Sequence, residues 1–462
     1  MEVHNTLVRA TVPFEPANED RISMYVCGPT VQSEPHLGHG RSAVSFDVLR
    51  RYLEWSGYEV VFVRNVTDVD DKIIARALER GVPTETVARE AMDAFSKADE
   101  LLGNQPPTIE PKATEHILEM VELIERLIES GHAYESDGDV YFSVRSFPHY
   151  GKLSRHDLDD LRAGERVEPD NRKRDPLDFA MWKAAKPGEP AWDSPWGPGR
   201  PGWHVECSAM ATKYLGDDFD IHAGGSDLIF PHHENEIAQS EAASGKTFAR
   251  YWMHNGMLNL AGEKMAKSTG HVVTLLESLE RWNPIAVRLF YLRTHYRKPL
   301  DFSERALDDA EASLSRLRAF RRRFPAFVEE PSDPELLERF RAAMDNDLDV
   351  AGALAVLFDL VREGNSRRDI GESADALVSA FDEIVSVLGI GEPEAALDDE
   401  AAVAELAAGF GITNGTVDDL VVLRTSARRH RDWATSDAIR DGLAALNIII
   451  EDTSDGSRWH RG

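Results

Sequence analysis

The sequence predicts an α/β protein. We expect a Rossmann-like, doubly wound parallel sheet with an insertion, followed by a helical bundle and a small C-terminal unit. Three observations carry this reading. Residues 23–65 spell a strand, a helix and a second strand, the β-α-β unit from which parallel sheets are built. Residues 136–200 break the pattern with Pro187, Pro190, Pro195, Pro198 and Pro201, as an insertion between two halves of a sheet would. From Pro284 to about residue 388 the apolar residues recur at helical spacing over a length that only packed helices use.

Each element has a local reason. Ser23–Val31 is a buried apolar strand ending in the Gly28-Pro29 turn. His36-Leu37-Gly38-His39-Gly40 opens a helix that runs through Leu53, with apolar residues on one face, and Gly57 stops it. Tyr58–Asn65 is the second strand, with a continuous apolar run that suits a strand buried on both faces. Residues 73–135 are mostly helical and 136–200 irregular. Phe219–His222 is a short strand, and Pro231 fits the first position of a following helix. Residues 391–416, rich in Ala, Glu, Asp and Gly, form a linker with a short helix. In 417–462 helices are expected over Asp418–His430 and Thr435–Leu446, then a strand at Ile448–Asp452.

Composition narrows the function. A chain of 462 residues exceeds one ordinary core, so several domains are expected. No stretch approaches the roughly eighteen apolar residues of a membrane span, and Met1–Asn5 lacks the basic start and apolar core of a secretion signal. The net charge of −29 gives no support to polyanion binding, which needs local basic faces. Arg316, Arg318, Arg321, Arg322 and Arg323 form one such cluster, and Arg424, Arg428, Arg429 and Arg431 another. Pattern alone reads both as solvated helix faces.

Only two cysteines occur, and both lie in motif-like segments: Cys27 in Met24–Thr30 and Cys207 in Gly202–Ser208. With an imidazole and a carboxylate from Pro231-His232-His233-Glu234-Asn235-Glu236 they make a credible four-donor zinc set. On a helix begun by Pro231, His232 and Glu236 share a face, while His233 points about a third of a turn away. Cys27 at a strand end and Cys207 at the start of another element could converge at the carboxyl ends of a parallel sheet, where such sheets bind ligands. Trp203, His204 and His222 flank this set and could wall a small dry pocket. His36 and His39 bracket Gly38 at a helix start, a place that suits phosphate. Lys264 and Lys267, three apart in Lys264-Met265-Ala266-Lys267-Ser268, can neutralise a departing pyrophosphate. Each short motif has a bland alternative: surface histidines, a basic loop, buried thiols acting as small apolar groups.

Taken together, these segments resemble cysteinyl-tRNA synthetase, a class I aminoacyl-tRNA synthetase, nearly end to end. His36–His39 is similar to the family's HIGH signature, Lys264–Ser268 to its KMSKS loop, and Arg64–Ile74, Gly202–Met210 and Asp220–Gln239 to family-specific segments. The resemblance implies ATP-dependent activation of L-cysteine and its transfer to tRNA(Cys). It implies one zinc ion per chain on Cys27, Cys207, His232 and Glu236, which selects the cysteine thiolate, and Mg2+ with ATP. His36, His39, Lys264 and Lys267 become the catalytic set; His36, Gly38, His39 and Lys267 hold ATP; Cys27, Thr67, Trp203, His204, His222 and Asp227 form the substrate pocket. The implied domains are 1–283 (catalytic, insertion at about 100–200, lysine-loop region at about 255–283), 284–390 (helical bundle), 391–416 (linker) and 417–462 (anticodon-binding unit). The expected protein is a cytoplasmic monomer that uses no membrane. Leu37 and Ala266 depart from the signatures, in place of isoleucine and serine. The nearest rival is a ligase joining cysteine to an amino sugar-inositol, which shares the core but needs no anticodon-reading end.

Overall fold

The structure is a computed structural model that describes residues 1–157, 171–260, 263–264, 274–325, 328–391, 402–404, 406–412, 415–446, 448–453 and 456–461. Two compact units divide the chain, Met1–Ile390 and Gly391–Gly462.

In the first unit, an N-terminal hairpin, β1 (Glu2–Asn5) and β2 (Ala10–Pro13), precedes β3 (Arg21–Val26), α1 (Leu37–Trp55) and β4 (Glu59–Arg64). Helices α2 (Asp71–Arg80), α3 (Thr84–Leu101) and α4 (Ile117–Glu129) follow. Four short strands come next: β5 (Ala133–Ser136), β6 (Asp139–Phe142), β7 (Phe179–Ala184) and β8 (Gly199–Pro201). The main sheet resumes through α5 (Trp203–Leu215), β9 (Phe219–Gly225), α6 (Glu234–Ser244) and β10 (Ala249–Asn255). Then come β11 (Leu258–Leu260), β12 (Glu263–Lys264), α7 (Leu275–Arg281), α8 (Pro284–Leu292) and β13 (Leu300–Phe302). Helices α9 (Glu304–Arg321), α10 (Pro334–Asp345), α11 (Val350–Asp369) and α12 (Asp375–Leu388) complete the unit.

The central sheet is parallel, in the order β10-β9-β3-β4. β3 and β4 come from before the insertion and β9 and β10 from after it. Both faces are buried, which explains the unbroken apolar runs. Ile22, Met24, Val26, Val60 and Phe62 face the core shared with α1 and the helical bundle. Tyr25, Val61, Val63 and Trp252 face a second core built with α4, α5 and α6. Alternation along each strand thus divides its side chains between two helical layers.

Residues 136–200 are more ordered than the sequence indicates. Their described part holds the antiparallel sheet β5-β6-β7-β8. Strands of three to six residues between proline turns are too short to show a period. Strand β3 is also shorter than expected, ending at Val26; beyond it Thr30 forms only an isolated parallel bridge with Thr67.

The second unit has its own small core of Val403, Ala407, Leu420, Ile439 and Leu443. Around it lie α13 (Val417–Arg429), α14 (Trp433–Ala445) and a hairpin of β14 (Ile448–Thr453) with β15 (Gly456–Arg461). The sequence indicated only the first strand of that hairpin. Arg424 is buried in this unit, so it does not belong to a solvated face, whereas Arg428, Arg429 and Arg431 are exposed. Arg321 at the end of α9 pairs with Asp382 at 2.7 Å, and Arg323 just beyond it with Asp369 at 2.5 Å, so acids meet part of that basic cluster.

Candidate active site

A cleft of about 400 Å3 opens at the carboxyl ends of the parallel strands. Cys27 and Gly28 beyond β3, Arg64 on β4, Gly225 on β9 and Asn255 on β10 all line it, the expected place in an open parallel sheet.

The start of α1 forms one wall. His36 is its N-cap, and its Nδ1 accepts from the Gly38 amide at 3.1 Å. In return His39 Nδ1 accepts from the His36 amide at 3.1 Å. This reciprocal cap satisfies helix donors and also fixes both rings. Since each Nδ1 accepts, the neutral rings carry their proton on Nε2. The two rings stack with centroids 3.7 Å apart, and the edge of Phe95 packs on His39. Gly38 leaves room for the His36 ring, which a Cβ at 3.0 Å would push aside by a few tenths of an ångström.

Behind the cleft floor, Cys27, Cys207, His232 and Glu236 converge, with their donor atoms all within 4.8 Å of one another. Cys27 follows β3. Cys207 lies in the second turn of α5 rather than at the start of an element, yet the helix still aims it at Cys27. The two sulfurs are 3.7 Å apart, Cys27 Sγ is 3.4 Å from Glu236 Oε1, and His232 Nε2 is 3.0 Å from that same oxygen. A tetrahedral zinc site with bonds of about 2.0–2.3 Å has edges of roughly 3.3–3.8 Å; the two sulfur edges lie in that range, the 3.0 Å nitrogen–oxygen edge is a little shorter, and the donor chemistry fits zinc.

The electrostatics of these donors are mutually adjusted. Burial pushes the Cys27 thiol well up, and the neighbouring Cys207 and Glu236 add to it. Burial acts the same way on Cys207, but the hydrogen bond from Cys27 and the His232 imidazole draw it down to about 6. Burial opposes charge on His232, yet Glu236 and Cys207 lift it to about 10. Glu236 is held well below the usual carboxylate range against its burial by His222 and His232. Acidic donors thus crowd around one imidazole proton, the position a bound cation takes.

A surrounding shell orients the four. His222 Nε2 contacts Glu236 Oε2 at 2.8 Å, and its ring stacks on Trp252 at 4.3 Å. His204 Nδ1 lies 2.9 Å from His232 Nδ1, and Trp203 stacks on His232 at 4.3 Å. Asn65 Oδ1 accepts from the Gly28 amide at 2.9 Å and lies 3.6 Å from Cys207 Sγ. His233 is nearer than helical spacing indicated: its Nε2 is 3.3 Å from Cys27 Sγ. The chain departs from helical geometry at Phe230, and the wide turn Ile229–His233 brings both histidines to the cluster. Cys27, His222, His233 and Glu236 consequently form a second, overlapping donor set. His254 supports His233 from behind at 2.8 Å. The adjacent His232-His233 pair is a signal for His233; His254 and Asn65 carry none.

The other pocket candidates separate. Trp203 and Asp227 line the cleft, with Asp227 exposed. Thr67 is buried, and its hydroxyl donates to Glu206 at 2.9 Å and accepts from Asn65 at 3.3 Å. It, His204 and His222 stand behind the lining rather than in it. Lys264 ends β12, whose backbone pairs with β11; Ala266 and Lys267 lie outside the described residues.

Comparison with known proteins agrees with this geometry. Residues 13–312 match the family described as the class I tRNA synthetase (C) catalytic domain, and residues 339–392 match the DALR domain. The chain is 50% identical to the cysteine–tRNA ligase of Halorhodospira halophila, covering 100% of this chain and 99% of the relative. It is 51% identical to that of Alkalilimnicola ehrlichii, with full coverage of both (100% and 100%). Among solved structures it is similar in fold to Mycobacterium tuberculosis methionyl-tRNA synthetase in complex with methionyl-adenylate. That match has a TM-score of 0.60 at 18% identity, covering 82% of this chain and 94% of that one.

Proposed function

Because the chain belongs to the cysteine–tRNA ligase family of class I aminoacyl-tRNA synthetases, we propose that its cleft activates L-cysteine with ATP–Mg2+ and passes it to tRNA(Cys), with zinc on Cys27, Cys207, His232 and Glu236. The observation that supports this reading is the convergence of those four donors within 4.8 Å of one another, directly behind a cleft walled by His36 and His39. When bound, zinc supplies a soft partner for a substrate thiolate that serine and alanine lack.

The protein's own groups do the rest. The cysteine carboxylate attacks the α-phosphorus of ATP; the bond to the bridging oxygen breaks and pyrophosphate leaves. His36 and His39 carry an Nε2–H each at the start of α1, where negative charge builds on phosphate. Lys264 and Lys267 bring positive charge to the leaving group. Asp227, exposed in the cleft lining, receives the substrate ammonium. Trp203 covers His232 and narrows the space beside Cys27, the only member of the four that lines the cleft among the described residues. His204 and His222 act by orienting His232 and Glu236, and Thr67 by holding Glu206. In the second step a terminal ribose hydroxyl of tRNA attacks the adenylate carbonyl and AMP leaves. The domains assigned from sequence divide this labour, with 1–283 performing the chemistry and 417–462 reading the anticodon. No helix among the described residues is long and apolar enough to cross a membrane, and the reading places the protein in the cytoplasm as a monomer.

The test offers radiolabelled cysteine with total tRNA and, in parallel, with an amino sugar-inositol acceptor, using serine as control. Cysteine on tRNA alone supports the reading. Activation without transfer to tRNA would replace it with the small-molecule ligase.

A further inference from the structure

Arg41, one turn into α1, is 1% exposed, and its guanidinium meets no carboxylate among the described residues. Burial lowers its pKa to about 10 despite some support from Tyr291, so it stays charged at neutral pH. A buried cation that no anion compensates is costly, and it persists where its geometry serves something else. Its two Nη nitrogens donate to backbone carbonyls, Met257 at 2.8 Å, Tyr296 at 3.2 Å, His295 at 3.4 Å, and Lys298, while its buried Nε has no partner among the described residues.

Those carbonyls are not waiting for a donor. Met257 O also accepts from the Leu300 amide at 3.0 Å, Tyr296 O from Gly256 at 2.8 Å, and His295 O from Lys298 at 3.0 Å. What the guanidinium adds is a joint. Met257 leads directly into β11 and Lys298 almost directly into β13, the two strands that pair in parallel at Leu258–Leu300. β12, which ends at Lys264, pairs on the other edge of β11. Arg41 therefore clamps the root of the sheet that carries the start of the lysine loop. Gly256 lets the two segments close, since a Cβ there would lie 2.5 Å from Lys298 O.

The far end of the same loop is tied to the same helix. The Leu275 amide donates to Pro35 O at 2.8 Å, and Thr274 bridges His36. That second tie uses backbone alone, whereas the first depends on one side chain. We infer that Arg41 is a positioning residue that sets β11 and β12, and with them the backbone at Lys264 where the lysine segment begins, relative to His36 and His39. The inference rests on the proposed role of that loop.

The experiment measures cysteine-dependent ATP–pyrophosphate exchange, per active site, for Arg41→Met, Lys267→Ala and the double variant. Met keeps the length, removes the buried charge, and leaves three of the four carbonyls with a backbone partner. The expected result is a loss of roughly a hundredfold in kcat for Arg41→Met, the scale of an ångström-sized misplacement, with KM for ATP and cysteine little changed. The double variant should be little worse than the more impaired single, because both remove one device. A general structural role would instead add to the lysine effect. Normal exchange in Arg41→Met, or losses that multiply in the double variant, would overturn the inference while leaving the lysine loop in place. If Lys267→Ala alone exchanges normally, the loop's role falls and the inference with it. Should Arg41→Met fail to fold, Arg41→Lys, which keeps the charge but not the fork, is judged by the same criteria.

Discussion

Replacing His222 by Phe separates the metal donors from the shell that aims them. The two Glu236 oxygens have different jobs. Oε1 faces Cys27 at 3.4 Å and His232 at 3.0 Å, whereas Oε2 is held by His222 at 2.8 Å. His222 is fully buried and stacked on Trp252, a position Phe can fill with its ring. The variant therefore loses one hydrogen bond to a buried carboxylate and little packing. A hydrogen bond to a charged group contributes about 1.5–3 kcal/mol. With a factor of ten per 1.4 kcal/mol, zinc should bind about 10- to 150-fold more weakly, close to the 10–100-fold range of second-shell changes. Competition against a fluorescent zinc chelator reads this directly, and a thermal melt without zinc checks the fold. Wild-type affinity with an unchanged melt would show that Glu236 needs no help from His222. Complete loss of zinc would mean that His222 is itself a ligand, as the overlapping donor set allows.

Cys27→Ser should release zinc and abolish cysteine activation with the fold retained; metal analysis and exchange assays together decide it, and normal activation without metal would sink the zinc assignment. His39→Ala should lower kcat for exchange by about 10²–10³, the usual cost of removing one transition-state donor, with a smaller change in KM for cysteine. Asp47 and Arg288 form a buried pair, with Asp47 also accepting from Arg51 at 2.8 Å and the Gln105 amide at 2.7 Å. Arg288→Met should destabilise by about 3–5 kcal/mol, since it strands the buried carboxylate; urea unfolding measures it. Burial raises the Asp47 carboxyl, and Arg288 and Arg51 more than offset this, leaving it below its usual range. Its contribution is complete above the unfolded value of about 3.9 and is lost as pH falls through the folded one. Arg288→Met should therefore unfold at a higher pH on acidification; an unchanged acid midpoint would deny the pair this role.

How far the sequence carries the fold depends on the range of the interactions involved. The β3-α1-β4 unit was legible because its signals are local: a doubly buried apolar run, a histidine cap, a stopping glycine. The antiparallel sheet of the insertion was not, because β6 and β7 are brought together from either side of a long intervening segment and neither is long enough to declare a period. The same division runs through the site. Cys27, Cys207, His232 and Glu236 could be proposed from their chemistry and motif context. That His233 also reaches Cys27 depends on a single non-helical residue, Phe230, which no spacing rule anticipates. Thr67 reads as a pocket residue in the sequence, but its hydroxyl is already committed to Glu206 and Asn65.

This arrangement bears on how a small side chain can be selected. An apolar pocket separates substrates that differ by one small group only by about 10–200-fold, which falls short of what translation needs. The four proposed zinc donors come from four places in the chain: the end of β3, the second turn of α5, the wide turn at Ile229–His233 and the first turn of α6. No single loop movement can displace all four. Their outer contacts are equally dispersed, with His222 on β9, His204 on α5 and Asn65 just beyond β4. Cys27, the donor nearest the substrate space, also marks the point where β3 turns into the segment leading to His36. On the proposed reading, the thiol-binding Cys27 and the phosphate-facing His36 are therefore joined by the eight residues 28–35 of one strand-to-helix connection. On that reading a substrate that failed to seat at Cys27 would leave its carboxylate out of line with the α-phosphate, so one geometry would set both selection and activation.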